Sequence, residues 1–465
     1  MVMHTFLRSS YFPVSCEELF QWHERIGAFD RMVPPWMHLD MISRNGTIHN
    51  GDEVSLRMHF GPFSLDFKFL HQNYIANSQF QDVQIKGPFS YYAHTHRFEA
   101  VEDNKSKITD IIQYKLPLAS LSHFATKHFI EDRLNRLFTY RHRTLKCDLF
   151  LHSKYSQKKL KILITGASGL VGSALAPFLT TGGHTVIKLV RSHHKSAQQP
   201  KQENVAYWDS EQKCFLNPEI LQGLDAVVHL AGENIAAHKW SNERKQQLID
   251  SRVHFTSVLC NALTQLKAPP KTFIAASGVG IFGDRDYDDI LHEDSKPGEG
   301  FLAKLALDWE NAADGARNAG IRVVHLRFGT IVSLAGGVLK KMYTPYRMCL
   351  GGPFGSGRQM MSWIAITDVL GLILFAITNP SIDGAVNAVS PHALSNEQFS
   401  QMLAQAMGRP SSLRIPELVV ETLFGEMGRE LLLSGQHAKP IKATKHGYEF
   451  LHGHLHDALT YCLGV

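Results

Sequence analysis

Cysteine is scarce in this chain of 465 residues, and the six that occur, at positions 16, 147, 214, 260, 349 and 462, are widely spaced. No two of them form a C-x-x-C pair, so the spacing implies no disulfide framework. We expect free or buried thiols in a reducing compartment, which favours a cytoplasmic protein.

Long apolar runs and a large excess of charge are also missing. The longest apolar run, VLGLILFAI at residues 369–377, is too short to span a bilayer, and the start MVMHTFLRSSYF contains no signal-peptide core. The net charge is +5 and the basic residues are scattered, so no patch for nucleic acid or a membrane surface is predicted. Small-molecule partners are expected instead.

The first 150 residues alternate apolar and polar side chains in stretches such as EVSLRMHF, SLDFKFLHQNYI and KITDIIQYKL. This period of two predicts an antiparallel sheet. A helical pattern near CEELFQWHERIG precedes the sheet, and a long amphipathic segment, SHFATKHFIEDRLNRLFTYRHRTLKCDL, follows it. Because the apolar face of the sheet needs a cover, we expect an α+β domain over residues 1–152 in which the sheet curves around the long helix.

The polar segment SKYSQKK (153–159) separates this region from a different pattern. Helical stretches follow each of the short apolar runs KILIT, TVIKLV, AVVHLA, TFIAAS and RVVHLRF. Alternating strands and helices of this kind are typical of a doubly wound parallel sheet. We therefore predict an α/β Rossmann domain over residues 153–465.

The stretch LKILITGASGLVG predicts a nucleotide site, because a buried strand runs through a glycine-rich turn into a helix. The first glycine permits a tight turn, the second lets the backbone approach a pyrophosphate, and the third lets helix and strand pack closely. The phosphates would lie at the helix N-terminus. The residues expected to contact the cofactor here are Gly166, Ser168, Gly169, Leu170, Val171 and Gly172.

Two further strand ends complete the predicted cofactor site. TVIKLVRS ends near Arg191, where an NAD site usually has a carboxylate for the ribose, and an arginine suits a 2′-phosphate. We therefore favour NADP over NAD. DAVVHLAG places Leu230, Ala231 and Gly232 at the carboxyl end of the next strand, where cofactors bind in open α/β sheets.

Eight motifs follow one another between residues 160 and 460: TGASGLVG, DAVVHLAGENI, AASGVGIFGD, FLAKLALDWE, LRFGTIVS, GGPFGSGRQMMSWI, GAVNAVSP and ELLLSGQHAKP. Together they resemble the atypical extended short-chain dehydrogenase/reductases, which are often called epimerase-family or sugar nucleotide epimerase-like oxidoreductases. The resemblance implies a Rossmann core with a substrate lobe from about residue 335 to 465, NADP binding and hydride transfer to or from an unidentified substrate.

The first domain carries the stretches RSSYFPVSCEELFQWHERIGAFDRMVPPW, KGPFSYYAHTHRF, YKLPL and LFTYRHRTLKCDL. These resemble the SRPBCC helix-grip domains, which are related to polyketide cyclases and START-like lipid-transfer folds. The resemblance implies an apolar cavity and a hydrophobic ligand. A second copy of the chain, in a homodimer, is a further expected partner.

Standard members of the dehydrogenase family carry Tyr-x-x-x-Lys on the helix that FLAKLALDWE forms here, but Gly300 stands four positions before Lys304. The chain has one Tyr-x-x-x-Lys, Tyr155 to Lys159, which precedes the first Rossmann strand and is interpreted as chance. Proton transfer therefore needs another group.

The remaining catalytic candidates are Ser277, Glu233 and Tyr287, with Asp284 and Asn234 beside them. Ser277 at a strand end could polarise a carbonyl, or it could cap the next turn. Glu233 and Asn234 follow the LAG turn near the expected nicotinamide, and helix capping is the alternative for both.

In the predicted lobe, Gly355, Gly357 and Gln359 are expected to shape a loop over the substrate, and Asp368 is expected to cap a helix. Histidines alternate at positions 94 and 96 and at positions 452, 454 and 456. Neither group supplies three converging ligands and an outer shell locally, so we expect no metal site.

Two functions fit this sequence. The first is an NADP-dependent oxidoreductase of the epimerase family that acts on a small or apolar carbonyl or alcohol. The second is a regulatory protein that binds NADP without turnover, because the Tyr-Lys pair is missing and some members of the family are labelled cell-division inhibitors. The sequence leaves open whether the chain is an enzyme.

Overall fold

The computed structural model of the protein describes residues 2–116, 123–192 and 203–465. Of residues 123–127 it describes only the backbone. The chain divides into two compact units. The first contains the described residues up to Lys154 together with Pro177–Gly183 and Gly464–Val465, and the second contains Tyr155–Ala176 and His184–Leu463. Within the described ranges, no helix is long and apolar enough to cross a membrane.

A seven-stranded antiparallel sheet forms the centre of the first unit, as the alternating pattern predicts. The strands lie in the order β1-β7-β6-β5-β4-β3-β2. Their bounds are β1 His4–Phe12, β2 Leu39–Asn45, β3 Glu53–Phe60, β4 Phe63–Ile75, β5 Gln79–Lys86, β6 Tyr91–Glu102 and β7 Lys105–Lys115. The helices are α1 Cys16–Glu24, α2 Ala28–Met32 and α3 His123–Tyr155.

The core of the first unit lies between this sheet and the helices α1 and α3. Apolar side chains from all three are buried together, because each element presents one apolar face. The contributing residues include Leu19 and Phe20 of α1, Phe80, Phe98 and Ile108 of the sheet, and Leu145 and Leu149 of α3.

An eight-stranded sheet forms the centre of the second unit, in the order β11-β10-β9-β8-β12-β13-β15-β19. All neighbours are parallel except β10 and β11, so the predicted Rossmann-like α/β fold is confirmed. The strands are β8 Lys161–Thr165, β9 Thr185–Ser192, β10 Val205–Asp209, β11 Cys214–Phe215, β12 Ala226–His229, β13 Thr272–Gly278, β15 Arg322–Phe328 and β19 Gly384–Ala388.

Short strands outside this sheet pair residues of the last third of the chain with one another and with earlier residues. The pairs are β14 (Ile290–Leu291) with β21 (His437–Ala438), β16 (Thr330–Val332) with β18 (Trp363–Ala365), and β17 (Met360–Met361) with β20 (Leu394–Ser395).

Helices connect the strands of the second unit. They are α4 Leu170–Thr181, α5 Asn242–Ile249, α6 Phe255–Thr264, α7 Phe301–Asn311, α8 Asp314–Asn318, α9 Gly337–Arg347, α10 Ile366–Thr378, α11 Asn396–Ala406, α12 Glu417–Phe424, α13 Glu426–Gly428, α14 Ile441–Lys445 and α15 Leu455–Leu463. A π-helical turn, Asp250–His254, joins α5 to α6, and a second π-helical turn spans Arg429–Leu433. Such turns often lie at functional sites.

Candidate functional site

The glycine-rich turn between β8 and α4 is packed so tightly that side chains are excluded from two of its positions. Gly166 has a φ of +68°, and a Cβ there would lie 2.8 Å from the backbone of Leu230 and Ala231. A Cβ on Gly172 would lie 2.3 Å from the carbonyl oxygen of Gly166. These two glycines therefore let the turn close against both the end of β12 and its own helix.

Gly169 differs from Gly166 and Gly172 because the space beside it is more open. A Cβ there would meet only the carbonyl oxygen of Gly166, at 3.3 Å, and both Ser168 and Gly169 are exposed. The free amides of the first turn of α4 begin at Leu170 and Val171, both half-buried. This is the geometry in which a backbone can approach a pyrophosphate.

His229 holds the end of β12 against β8 and α6. One ring nitrogen is hydrogen-bonded to Thr165 Oγ1 at 2.7 Å, and the other to Thr256 Oγ1 at 2.9 Å. Burial lowers the pKa of His229 to about 3, so the ring is neutral at pH 7. Thr165 Oγ1 also accepts the N–H of Ala231, which fixes the predicted LAG segment beside the glycine turn.

A cleft of about 610 Å³ lies at the carboxyl ends of these strands. Its wall contains Arg191, Ala231, Gly232 and Glu233, so the structure brings together four residues that the sequence places in the site. The remaining lining is Trp208, Ser210, Lys213, Gln247, Asp250, Ser251, His254, Phe255 and Val258. The cleft can therefore offer an apolar wall and two cationic side chains to one ligand.

Glu233 is fixed at the mouth of this cleft by two arginines. Its carboxylate lies 3.4 Å from the Arg244 guanidinium, and its carbonyl accepts Arg252 Nη2 at 2.9 Å. The side chain is 44% exposed, so a ligand can reach it. Asn234 accepts the N–H of Ala236 with its side-chain oxygen, which is a local turn contact.

Ser277 lies at the end of β13 but is only 5% exposed. Its hydroxyl donates to Glu310 at 2.8 Å, and Arg327 donates to both oxygens of the same carboxylate. Although burial opposes ionisation, Arg327 keeps the pKa of Glu310 below its usual value. These contacts favour a structural role for Ser277 over the polarising role considered above.

Tyr287 lies in an exposed loop, with 51% of its surface accessible. The neighbouring Asp284 accepts the N–H of Gly435 at 2.8 Å. Within the described parts of the chain, no hydrogen bond connects Tyr287 to Ser277 or Glu233. The three catalytic candidates are therefore not brought together.

Glu430 caps the helix on which the tyrosine is missing. Its two carboxylate oxygens accept the N–H groups of Phe301 and Leu302, at 2.9 and 2.8 Å. Gly300 has a φ of +102°, and a Cβ there would lie 3.1 Å from the Glu430 carboxylate. Lys304 is 79% exposed and pairs with Asp308. A side chain at position 300 would therefore need the Glu430 carboxylate to shift by a few tenths of an ångström, in a backbone conformation that favours glycine.

Tyr155 has a structural role, as expected for a chance Tyr-x-x-x-Lys. The ring lies 5.2 Å from that of Phe375 and 5.5 Å from that of Tyr448, and its hydroxyl accepts the N–H of Glu449. It is buried, with 8% of its surface exposed.

The loop that contains Gly355 and Gly357 has both glycines at positive φ, +55° and +73°. Gln359 donates to the carbonyls of Phe354 and Leu432 and so fixes the loop. That the loop covers a substrate stays a prediction.

The capping role expected for Asp368 is wrong. Its fully buried carboxylate accepts the N–H groups of Leu451 and His452 instead of those of α10. Burial raises the pKa of Asp368 to about 6.

Known proteins resemble the second unit in sequence. The profile of the NAD dependent epimerase/dehydratase family matches residues 162–389, and that of a domain of unknown function, DUF1731, matches residues 415–462. An epimerase family protein of Mycobacterium tuberculosis is 40% identical over 300 residues, which are 64% of this chain and 96% of that protein. The chain belongs to this epimerase family.

Two solved structures extend the comparison of this epimerase-family chain. The nucleoside-diphosphate sugar epimerase from Corynebacterium glutamicum has a TM-score of 0.78 at 29% identity, and the match covers 99% of this chain and 90% of that one. Human epimerase family protein SDR39U1, solved with NADPH, has a TM-score of 0.57 at 31% identity and covers 64% of this chain and 98% of its own.

Several residues of the epimerase-family cleft are missing from the sequence predictions. Lys213 lies in the connection between β10 and β11, where the sequence shows no motif. Ser251 and His254 lie in the π-helical turn Asp250–His254. Gln247 of α5 and Asp250 of the same turn also line the cleft.

The two groups of histidines, at positions 94 and 96 and at positions 452, 454 and 456, differ in whether their side chains converge with other possible metal ligands. His452 lies near Asp368 and His454 stacks on His392, so the C-terminal group does not converge. Among the described residues, a metal-compatible group does exist in the first unit, where Asp82 joins His94 and His96 with all ligand atoms within 4.8 Å. The local sequence around His94 and His96 does not contain this third residue, because Asp82 comes from the neighbouring strand β5.

Proposed function

We propose that this chain binds NADP(H) at the carboxyl edge of its parallel sheet and is an oxidoreductase of the epimerase family. The observation that carries the proposal is the side-chain-free turn at Gly166 and Gly172, which leaves Gly169 and the first amides of α4 accessible. When bound, the nicotinamide would supply hydride transfer. The NADPH named with the human relative's structure supports this choice.

NADP is proposed over NAD because the cleft has Arg191 at the end of β9 and Lys213 nearby in its wall. Two cations suit a 2′-phosphate, which an NAD site would not need to accommodate. Trp208 and Phe255, from the same wall, supply an apolar surface for the adenine. NAD is the second choice.

A small or apolar carbonyl or alcohol is the proposed substrate. Of the catalytic candidates, Glu233 is the best placed for proton transfer, because its accessible carboxylate lies in the cleft beside the LAG segment. The Ser277 hydroxyl is already donated to Glu310, and Tyr287 lies elsewhere. The Glu233 carboxylate lies 3.4 Å from the Arg244 guanidinium, and a carboxylate in this position would act as a general base.

A regulatory NADP-binding protein is the second candidate function. The observation that favours it is the N-terminus of α7, where a glycine at positive φ stands in place of the usual tyrosine and Glu430 caps the helix. Such a protein would bind the nucleotide and change its affinity for a partner without turnover.

Turnover assays separate the two functions. Purified chain is mixed with NADPH and a panel of aldehydes, ketones and quinones, and oxidation of NADPH is followed. The oxidoreductase proposal predicts turnover of at least one carbonyl compound. Glu233→Gln should lower the rate of this turnover and leave the affinity for NADPH unchanged. Saturable NADPH binding without turnover on the whole panel would favour the regulator.

For the first unit, we propose an SRPBCC helix-grip domain that holds a hydrophobic ligand. The antiparallel sheet packed on a long helix supports it, and so does a cavity of about 150 Å³ lined by apolar residues such as Ile48, Leu56 and Phe80. A cavity of this volume suits a molecule of roughly benzene size. Homodimer assembly and a cytoplasmic location stay predictions.

A further inference from the structure

Two histidines and two aspartates meet inside the first unit on three neighbouring strands. His94 and His96 lie on β6, opposite Asp82 of β5 and Asp110 of β7 in the register of the sheet. Residues two apart on a strand share one face, so all four side chains are directed to the same side. Both histidines and Asp110 are at least nine-tenths buried.

The distances within this group suit a metal ion. Asp82 Oδ2 lies 3.6 Å from His94 Nδ1 and 3.2 Å from His96 Nε2, and the three atoms are all within 4.8 Å of one another. Ligand atoms bound to one tetrahedral zinc ion at roughly 2.0–2.1 Å are about 3.3 Å apart. The two distances to Asp82 are within a few tenths of an ångström of this value, and the two histidines complete a group that could bind one ion.

Asp110 supplies the outer shell that metal-binding histidines need. Its Oδ1 is hydrogen-bonded to His94 Nε2 at 2.9 Å and lies 2.8 Å from His96 Nδ1. Its Oδ2 is hydrogen-bonded to His142 Nε2 at 2.7 Å. A carboxylate behind the imidazole fixes the tautomer and directs the opposite nitrogen to the ion, which applies here to Nδ1 of His94. His96 Nδ1 lies close to the same carboxylate but makes no hydrogen bond among the described residues.

The cavity of the first unit gives access to this group. Asp82 and His96 line the cavity, and His71, which also lines it, holds the other oxygen of Asp82 at 2.9 Å. His23 lines the same cavity and is 4% exposed, and its Nε2 has no hydrogen-bond partner among the described residues. An unpartnered buried nitrogen of this kind needs a ligand atom or a bound water.

We propose that Asp82, His94 and His96 bind one divalent transition-metal ion, with a remaining coordination position open to the cavity beside His23. Two imidazoles and one carboxylate suit zinc, cobalt or iron(II) rather than magnesium or calcium. Three protein ligands and an open position are typical of metal ions that bind an exogenous molecule. The ion would thus give the cavity, which has both apolar and polar lining residues, a coordination position for its ligand.

Cobalt(II) titration of the full chain after chelator treatment tests the site. We expect one Co²⁺ per chain, with the intense visible absorption of a four-coordinate ion, and stoichiometric displacement by Zn²⁺. His94→Gln and Asp82→Asn should abolish this absorption. Asp110→Asn, which changes only the outer shell, should weaken the affinity by roughly 10- to 100-fold.

Surface histidines provide the matched controls. His454→Gln removes one member of the exposed stacked pair with His392, and His128→Gln removes a histidine that is 75% exposed and lies 3.6 Å from Asp132. Neither should change the Co²⁺ spectrum. Loss of the spectrum in His454→Gln, or the absence of stoichiometric binding to the wild type, would overturn the proposal.

X-ray absorption spectroscopy of the zinc-loaded wild type tests the site even if the variants at buried positions do not fold. The expected spectrum has two imidazoles and an oxygen in the first shell at roughly 2.0–2.1 Å. Sulfur ligation, or a shell without imidazole, would show that the ion binds elsewhere and would contradict the proposal.

Discussion

Arg191 lies at the end of β9 with its side chain in the wall of the cleft. A guanidinium that contacts a phosphate forms a charge-assisted hydrogen bond, and such bonds contribute about 1.5–3 kcal/mol. Since each 1.4 kcal/mol is about a tenfold change in affinity, this residue alone can set the preference between two nucleotides that differ by one phosphate.

Replacement of Arg191 by Asp should raise the Kd for NADPH by roughly 10- to 100-fold and change the Kd for NADH by less than about threefold. Fluorescence titration with both nucleotides measures this. Lys188→Asp is the matched control, because Lys188 is an exposed cation on the same strand and is not part of the cleft wall. Equal losses of affinity for NADPH and NADH would show that Arg191 does not contact the 2′-phosphate.

Single residues show where prediction from sequence succeeds. The glycines at 166, 169 and 172 have distinct roles that follow from their place between strand and helix, and the packing around Gly166 and Gly172 matches those roles. Ser277 could not be interpreted in the same way. Its partners Glu310 and Arg327 come from α7 and β15, and only the tertiary fold brings a buried ion pair to a strand-end serine.

At the scale of elements, substitutions at two glycines of the turn that precedes α4 should have different effects, one on the stability of the fold and the other on nucleotide binding. A methyl group on Gly172 would clash with the carbonyl of Gly166 at 2.3 Å, while one on Gly169 meets a single atom at 3.3 Å and otherwise faces open space. The first change therefore affects the packing of helix on strand, and the second affects the approach of a pyrophosphate.

Gly172→Ala should lower the melting temperature, with a cost of about 1–3 kcal/mol for overpacking. Gly169→Ala should keep the melting temperature within about 2 °C and yet weaken NADPH binding at least tenfold. Thermal unfolding and NADPH titration of both variants measure the two effects. Unchanged NADPH affinity in Gly169→Ala would place the pyrophosphate away from this turn.

The N-terminus of α7 depends on Glu430, which lies in the π-helical turn of Arg429–Leu433. Glu430→Ala should cost about 0.5–2 kcal/mol of unfolding free energy, the usual range for the loss of a cap. Denaturant unfolding measures this, with Glu299→Ala as control, since Glu299 is an exposed acid in the neighbouring loop. A cost for Glu430→Ala no larger than that for Glu299→Ala would contradict the capping role.

Elements also show what the sequence could not reveal. Strands KILIT and RVVHLRF have the bounds that their apolar runs predict, because burial on both faces leaves a strong local signal. TVIKLVRS is also a strand, although four of its eight residues are exposed. The metal-compatible group carries no such signal. Its residues lie between positions 82 and 96 on two neighbouring strands, and their contact depends on the register of the sheet.

For the whole molecule, the two units carry separate candidate sites: the proposed nucleotide cleft in the second and the proposed metal-binding group beside a cavity in the first. Membership of the epimerase family rests on the second unit, to which the family profiles match. The C. glutamicum structure covers 99% of this chain, so the first unit also has a counterpart there.

Isothermal titration of the full chain with NADPH tests the central claim most directly, that the glycine turn of the second unit binds a dinucleotide. We predict saturable binding of one NADPH per chain, tighter than that of NADH. Free NADPH at about 100 times its Kd should then raise the unfolding free energy by about 2.7 kcal/mol. No saturable heat and no stabilisation with either nucleotide would contradict the account.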